Sequence, residues 1–257
     1  MREINVTPLQ TVERAIKILD CFSFDTYLLT IDELVKKTGL AKATTYRLLW
    51  TLEKNGLITY DSRENAYKLG YKMLSYGGIV MEKLDIRQEA EPYLKELHRE
   101  TGFQVMLAEK HRNHIQYILS YNSEDDFEPG SYVGKQRLLH FGALGILFMA
   151  YSSENEVNEF LSEYPIVEHT PYTVTDKGKF LKRLNQISHQ GYHVDHEETY
   201  FGITSIAVPV YDSSSNIVAA MAIAAPSFKL TGDMLDQSIE RTKVIAGNIS
   251  RKLGYRS

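Results

Sequence analysis

Apolar residues recur at helical spacing through the first quarter of the chain. Val12, Ala15, Ile16, Leu19 and Phe22 fall on one stripe, which predicts an amphipathic helix over residues 11–22. A second helix is announced by Thr30-Ile31-Asp32-Glu33, because a threonine followed three residues later by glutamate can satisfy orphan N–H groups reciprocally. Gly39 supplies the left-handed residue that ends it after about two turns. Beyond Gly39-Leu40-Ala41, a third helix sets Thr45, Leu48, Leu49 and Leu52 on one face, and Asn55-Gly56 stops it. Short helix, glycine-containing turn and longer helix form a helix-turn-helix layout. Two short β-type runs, 57–60 and 66–69, flank Asp61-Ser62-Arg63-Glu64-Asn65 and predict a hairpin wing. Residues 1–70 therefore read as a winged helix-turn-helix.

Past the wing, Met73, Leu74, Val80, Met81 and Leu84 keep helical spacing over residues 71–84, a connecting helix interrupted by Gly77-Gly78. The glycine pair allows two readings, a break in the helix or a close approach of two chains. Residues 85–101 form the next helix, with Ile86, Ala90, Leu94 and Leu97 as its stripe, Pro92 as a kink and Gly102 as its stop. The period then shifts. Residues 103–109, 115–121 and 131–137 are strand-like, and the apolar helix 141–151 follows. Helices over 154–161 and 176–190 precede strands near 192–195, 204–211 and 217–225, and a helix over 231–253 closes the chain. The turn-rich Asp212-Ser213-Ser214-Ser215-Asn216 joins the last two strands as an antiparallel hairpin. Residues 85–257 thus read as an α+β domain with helices flanking an antiparallel sheet.

A length of 257 residues suits two domains, and 43% hydrophobic with 24% charged residues is a globular composition. The longest nearly apolar runs, 141–151 and 217–226, fall short of the ~20 residues a membrane helix needs. Residues 1–6 lack the layout of a secretion signal, and Cys21 is the single cysteine, so the cytoplasm is the expected compartment, with no membrane partner. The net charge is −4, yet between Lys36 and Lys68 seven basic side chains (Lys36, Lys37, Lys42, Arg47, Lys54, Arg63, Lys68) stand against three acidic ones (Glu53, Asp61, Glu64). That local excess lies where a winged helix meets double-stranded DNA. Projected around the third helix, Ala43, Arg47, Trp50 and Lys54 lie opposite the leucine face, with Thr44, Tyr46 and Thr51 flanking and Lys42 at its start. Arg47 has the donor fork that reads guanine, Lys42 and Lys54 can neutralise phosphates, and Arg63 in the wing can reach an adjacent backbone. Trp50 on this face has two readings, packing on the wing or on a partner chain, which is the commoner role of an outward tryptophan, and stacking on DNA. A second basic run, Lys177, Lys179, Lys182 and Arg183, reads as a solvated helix face.

His193, Asp195, His196 and Glu197 have the composition of metal ligands, but strand neighbours point to opposite faces, so neither a metal nor a cofactor is expected. His140 reads as a structural or capping group. A rival reading makes the chain a cytoplasmic hydrolase or transferase using His140, His193, Asp195 and Glu197. That reading lacks a nucleophile or phosphate-loop motif and leaves the winged helix unused. A third reading keeps the DNA binding but makes the second domain a pure dimerisation module.

Two stretches resemble the IclR-type bacterial regulators. The first runs from Thr38-Gly39-Leu40 through Thr44, Tyr46-Arg47-Leu48-Leu49 and Leu52 to Gly56, and closes on Tyr67 and Leu69-Gly70. The second includes Gly191-Tyr192, Asp195, Glu197-Glu198, Gly202-Ile203, Ile206-Ala207 and Pro209-Val210-Tyr211-Asp212, supported by Leu139-His140 and Ala143-Leu144-Gly145. The resemblance implies a GAF-like effector domain, a linker helix, a homodimer or homotetramer, and control, expected to be repression, of a catabolic operon by a small organic acid. A dimer in turn implies an inverted-repeat operator. Carried over position by position, the family's effector pocket falls on Ala143, Leu144, Asp195, Ser205, Ala222 and Ala224. The family often has cysteine at the Ser205 position, and members sensing small oxo acids have serines where Ala222 and Ala224 stand. The pocket here is therefore expected to be less polar, suiting a bulkier or more apolar acid, with the backbone N–H groups opening the 141–151 helix as carboxylate donors. Asp195 has the alternative role of capping a loop, and Ser205 that of an ordinary strand residue.

Overall fold

The computed structural model describes residues 7–23, 25–82, 85–123 and 130–256, which divide into two compact units, Met1–Lys83 and Leu84–Ser257. In the first unit, α1 (Gln10–Leu19), α2 (Ile31–Thr38) and α3 (Lys42–Lys54) precede the hairpin of β1 (Ile58–Asp61) and β2 (Ala66–Leu69), and α4 (Lys72–Glu82) follows. The Thr30 backbone N–H donates to Glu33 Oε2 at 2.8 Å and the Glu33 N–H donates to Thr30 Oγ1 at 3.4 Å, so the α2 capping box forms as the sequence predicts. Gly39 closes α2 with φ 70°, a left-handed conformation that a Cβ would oppose. Leu34, Leu48, Leu49, Leu52, Ile58 and Tyr67 make a small core. Leu29 exchanges two backbone hydrogen bonds with Tyr67, an isolated bridge to the wing that the sequence pattern did not reveal.

The α1 stripe differs from its prediction. Ile18 is fully buried, while Val12 and Ile16 are each 51% exposed. The face turned inward is Ala15, Ile18, Leu19 and Phe22, an i, i+3, i+4, i+7 set that shares three members with the predicted stripe. Extra apolar residues on the outer side shifted the apparent centre of the pattern. Gly77 and Gly78 lie inside α4 and do not break it, since a helix can run through glycine at a cost of about 1 kcal/mol each. Leu84 and the side chains of Val80 and Met81 lie outside the described residues.

The second unit opens with α5 (Asp85–Thr101), which runs on through Pro92, and continues with β3 (Gln104–His111), β4 (His114–Tyr121) and β5 (Gln136–Leu138). Helices α6 (Gly142–Ala150), α7 (Glu154–Glu163) and α8 (Lys177–Gln190) follow, then β6 (His193–His196), β7 (Ile203–Tyr211), β8 (Ile217–Pro226) and α9 (Gly232–Lys252). The six strands are ordered β5-β4-β3-β8-β7-β6, with every neighbouring pair antiparallel. Strand β5 is shorter and later than the predicted 131–137, because Gly134 turns the chain at φ 89° and closes a tight turn from Tyr132 to Lys135.

Both sheet faces are covered, which is why the central strands read as nearly continuous apolar runs. Val105, Leu107, Met221 and Ile223 pack with Leu94 and Leu97 of α5 and Ile245 and Ile249 of α9. On the other face Met106, Ala108, Ala220, Ala222 and Ala224 meet α6 and α8. The protein is an α+β molecule with a winged helix-turn-helix and a sheet-and-helix second unit, and among the described residues no helix is long and apolar enough to cross a membrane.

Candidate functional site

Burial of Thr45, Leu48, Leu49 and Leu52 fixes the rotation of α3 and leaves Lys42, Ala43, Tyr46, Arg47, Trp50, Thr51 and Lys54 exposed, with Thr44 half-buried. The Lys54 amine sits 5.2 Å over the ring of Trp50, which is 63% exposed. Glu53 Oε1 accepts the Tyr60 N–H at 3.3 Å, tying the end of α3 to the wing. At the wing tip, Asp61 accepts the Arg63 N–H at 3.1 Å and the Lys68 amine at 3.0 Å, while the Tyr60 hydroxyl donates to Asn65 at 2.6 Å. The turn that carries Arg63 is thereby preorganised. The structure adds one contact not foreseen from sequence: the Lys42 amine lies 2.6 Å from Asp32 of α2.

In the second unit Ala143, Leu144, Asp195, Ser205, Ala222 and Ala224 line one cavity of about 40 Å³. Antiparallel register explains the convergence: Ser205 is opposite both Asp195 and Ala224, and Ala222 is opposite Met106. Helix α6 closes the cavity from above. Gly145 lets α6 approach closely, since a Cβ there would overlap the Leu139 carbonyl. Phe141 provides no side-chain cap, so the opening N–H groups of α6, at Gly142, Ala143 and Leu144, stand beside the cavity they help to line. Met106, Tyr117, Thr199 and Tyr200 also line it and were missed in the sequence reading. Burial pushes the Tyr117 and Tyr200 hydroxyls up from their ordinary value, so both stay protonated at neutral pH. Two larger grooves, of about 250 and 420 Å³, flank α7 at the surface and include none of the six residues.

The Asp195 carboxylate is 2% exposed and accepts the N–H groups of Glu198 at 2.9 Å and Thr199 at 3.3 Å, together with the Thr199 hydroxyl. Burial pushes its carboxyl up, against the lowering effect of these bonds. Asp195 thus holds the segment that carries Thr199 and Tyr200 into the cavity wall. Two further ties secure it: the Arg137 guanidinium donates to the Tyr200 hydroxyl at 2.6 Å, and Arg183 of α8 pairs with Glu198. Arg183 is only 17% exposed, so the solvated face expected of its helix extends to Lys177, Lys179 and Lys182 but not to Arg183. The ion pair reaches across fifteen residues, a separation that helical spacing cannot reveal.

The residues of the rival enzymatic reading do not form one constellation. His140 Nε2 lies 3.0 Å from the Pro165 carbonyl, and Glu197 starts the loop at φ 59°. His193 is buried on the Asp195 side of β6, with its ring pKa lowered to about 3 by burial and by the nearby Arg183 cation. Among the described residues no cluster of His, Cys, Asp and Glu could hold a metal ion.

Comparison with known proteins bears on both sites. Residues 11–62 match the model of the IclR helix-turn-helix domain, and residues 79–251 match that of the bacterial transcriptional regulator IclR C-terminal domain. The HTH-type transcriptional regulator XynR of Escherichia coli K12 is 32% identical over 247 residues, covering 96% of this chain and 98% of that protein. The HTH-type transcriptional repressor AllR of the same organism is 27% identical over 248 residues, covering 96% and 92%. The crystal structure of IclR from Thermotoga maritima is similar with a TM-score of 0.76 and 29% identity, covering 96% of this chain and 99% of that one.

Proposed function

The chain belongs to the IclR family of bacterial transcriptional regulators, with a DNA-binding helix-turn-helix and an effector-binding domain, and we propose that it is a repressor of a catabolic operon relieved by a small organic acid. Residues 1–70 bind DNA, 71–84 link, and 85–257 sense. The boundary between the two compact units, Met1–Lys83 and Leu84–Ser257, supports starting the sensing domain near residue 85. The protein is a regulator rather than an enzyme, acts on cytoplasmic DNA, and binds an inverted-repeat operator as a homodimer or homotetramer.

The observation that carries the reading is the convergence of Ala143, Leu144, Asp195, Ser205, Ala222 and Ala224 on one cavity. Its N–H groups at the start of α6 favour a carboxylate, and Met106, Phe141, Ala222 and Ala224 give it apolar walls suited to an acid larger than the smallest oxo acids. The cavity is compact, at about 40 Å³, and a ligand that binds one arrangement of its walls better than another would bias the protein between two states. Ala222→Leu should fill the cavity and abolish the effector response by overpacking, whereas Ser205→Ala should weaken effector binding by roughly 1 kcal/mol. Calorimetry against a panel of organic acids, followed by operator binding with the acid that binds, tests this. An Ala222→Leu protein that binds the acid normally would move the site elsewhere.

On the DNA side, Arg47→Ala should relax base preference at one position per half-site and cost roughly 1–3 kcal/mol, and Lys54→Ala should weaken all sequences about equally. Selection from a randomised operator library separates the two. Unchanged preference for the Arg47 variant would remove that residue from the reading of bases.

A further inference from the structure

Acidic side chains close to the exposed face of α3 fall into two groups. Glu33 completes the α2 capping box, Glu53 accepts the Tyr60 N–H, and Asp61 orders the wing turn and pairs with Lys68. Each of them shapes backbone. Asp32 makes its contact with the Lys42 amine at 2.6 Å, with side chains 75% and 57% exposed respectively. A pair so exposed contributes little to folding. Its position, at the first residue of α3, is where a recognition helix meets DNA most closely.

We infer that Asp32 is a brake on non-specific DNA binding, holding the Lys42 amine so that this end of α3 presents no net charge to the phosphate backbone. The inference rests on α3 being the helix that enters the groove. An unpaired ammonium there would neutralise one more phosphate on any sequence and release its condensed counterions. A regulator gains nothing from that contact, because the genome offers a vast excess of competing non-specific sites and the useful quantity is the ratio of specific to non-specific affinity. Arg47, Lys54 and Arg63 supply the attraction, and Asp32 limits it.

The test uses the full-length protein and a short labelled duplex of random sequence, titrated across about 50 to 200 mM salt. Asp32→Asn should bind at least about threefold more tightly at the low end and steepen the slope of log affinity against log salt by about 0.9, the value of one added phosphate contact. The double variant D32N/K42Q should lose the gain and the steeper slope of D32N, because the Lys42 amine is the group that makes the added phosphate contact. Thermal melting followed by the fluorescence of Trp50, the single tryptophan, checks that each variant is folded, and Asp32→Ser serves the same purpose should D32N melt early. An unchanged D32N affinity, or a gain that persists in the double variant, overturns the brake alone. Wild-type protein with no affinity for the duplex at the lowest salt would overturn the assignment of α3 to the groove, and the brake with it.

Discussion

Acidification below about pH 6 should destabilise the effector-binding unit by about 1.4 kcal/mol per pH unit, and His193→Gln should remove most of that slope. His193 is 2% exposed, and burial together with the Arg183 cation lowers its ring pKa to about 3, whereas the unfolded chain takes up the proton near 6.5. Between those values the unfolded state binds one proton more than the folded state. Stability is therefore intact above about 6.5 and falls as the pH drops toward 3. At pH 4.5 the loss is of order 2–3 kcal/mol, a large share of the 5–15 kcal/mol that a domain possesses. Asp195 works in the opposite sense. Its buried carboxyl keeps its proton above the pH at which the unfolded chain releases it, so it offsets part of the loss above about pH 4. The glutamine removes the titration, so the pH slope of each protein is compared with its own stability at pH 7. Urea unfolding followed by circular dichroism from pH 7 to 4.5 measures the slope, with Trp50 fluorescence reporting the N-terminal unit separately. Equal slopes in the two proteins would mean that another group governs acid sensitivity.

What the sequence made legible follows from the range over which each signal acts. Thr30, Glu33 and Gly39 act within one turn of backbone, and the second helix has the start and stop they announce. The leucine face of α3 is equally local, so its outward residues could be named from periodicity alone. In α1 the pattern was ambiguous, since Val12 and Ile16 extend the apolar arc away from Ile18 and only packing against α3 decides between the two centres. The six carried-over cavity residues converge through strand register, whereas Tyr117 and Met106 were missed because they lie on strands far away in sequence. A signal for them did exist. Met106 alternates with the buried Val105 and Leu107, and once β3 is paired with β8 it faces the same side as Ala222. The Arg183 and Glu198 pair had no such signal: each residue resembles an ordinary surface charge until the loop folds back on α8.

The largest expected loss from a single cavity residue falls at Asp195. Asp195→Ala should destabilise the effector-binding unit by about 2–4 kcal/mol and abolish the effector response while leaving operator binding without effector near wild type, because two half-buried N–H groups, of Glu198 and Thr199, lose their acceptor together. Thr199→Val removes only the hydroxyl bond to the carboxylate and should cost about 1 kcal/mol. Asp195→Asn separates geometry from charge. Its amide oxygen can keep both N–H groups and its amide nitrogen can donate to the Thr199 hydroxyl, so every bond of the loop survives and stability should stay within about 1 kcal/mol of wild type. The same variant should retain the effector response, because Asp195 then acts by positioning Thr199 and Tyr200 rather than through its charge. Chemical denaturation and effector-dependent operator binding, measured on the three variants side by side, decide the matter. An asparagine variant as damaged as the alanine would show that the carboxylate itself takes part in recognising the ligand, with Ser205, opposite it in the sheet, as the group beside it.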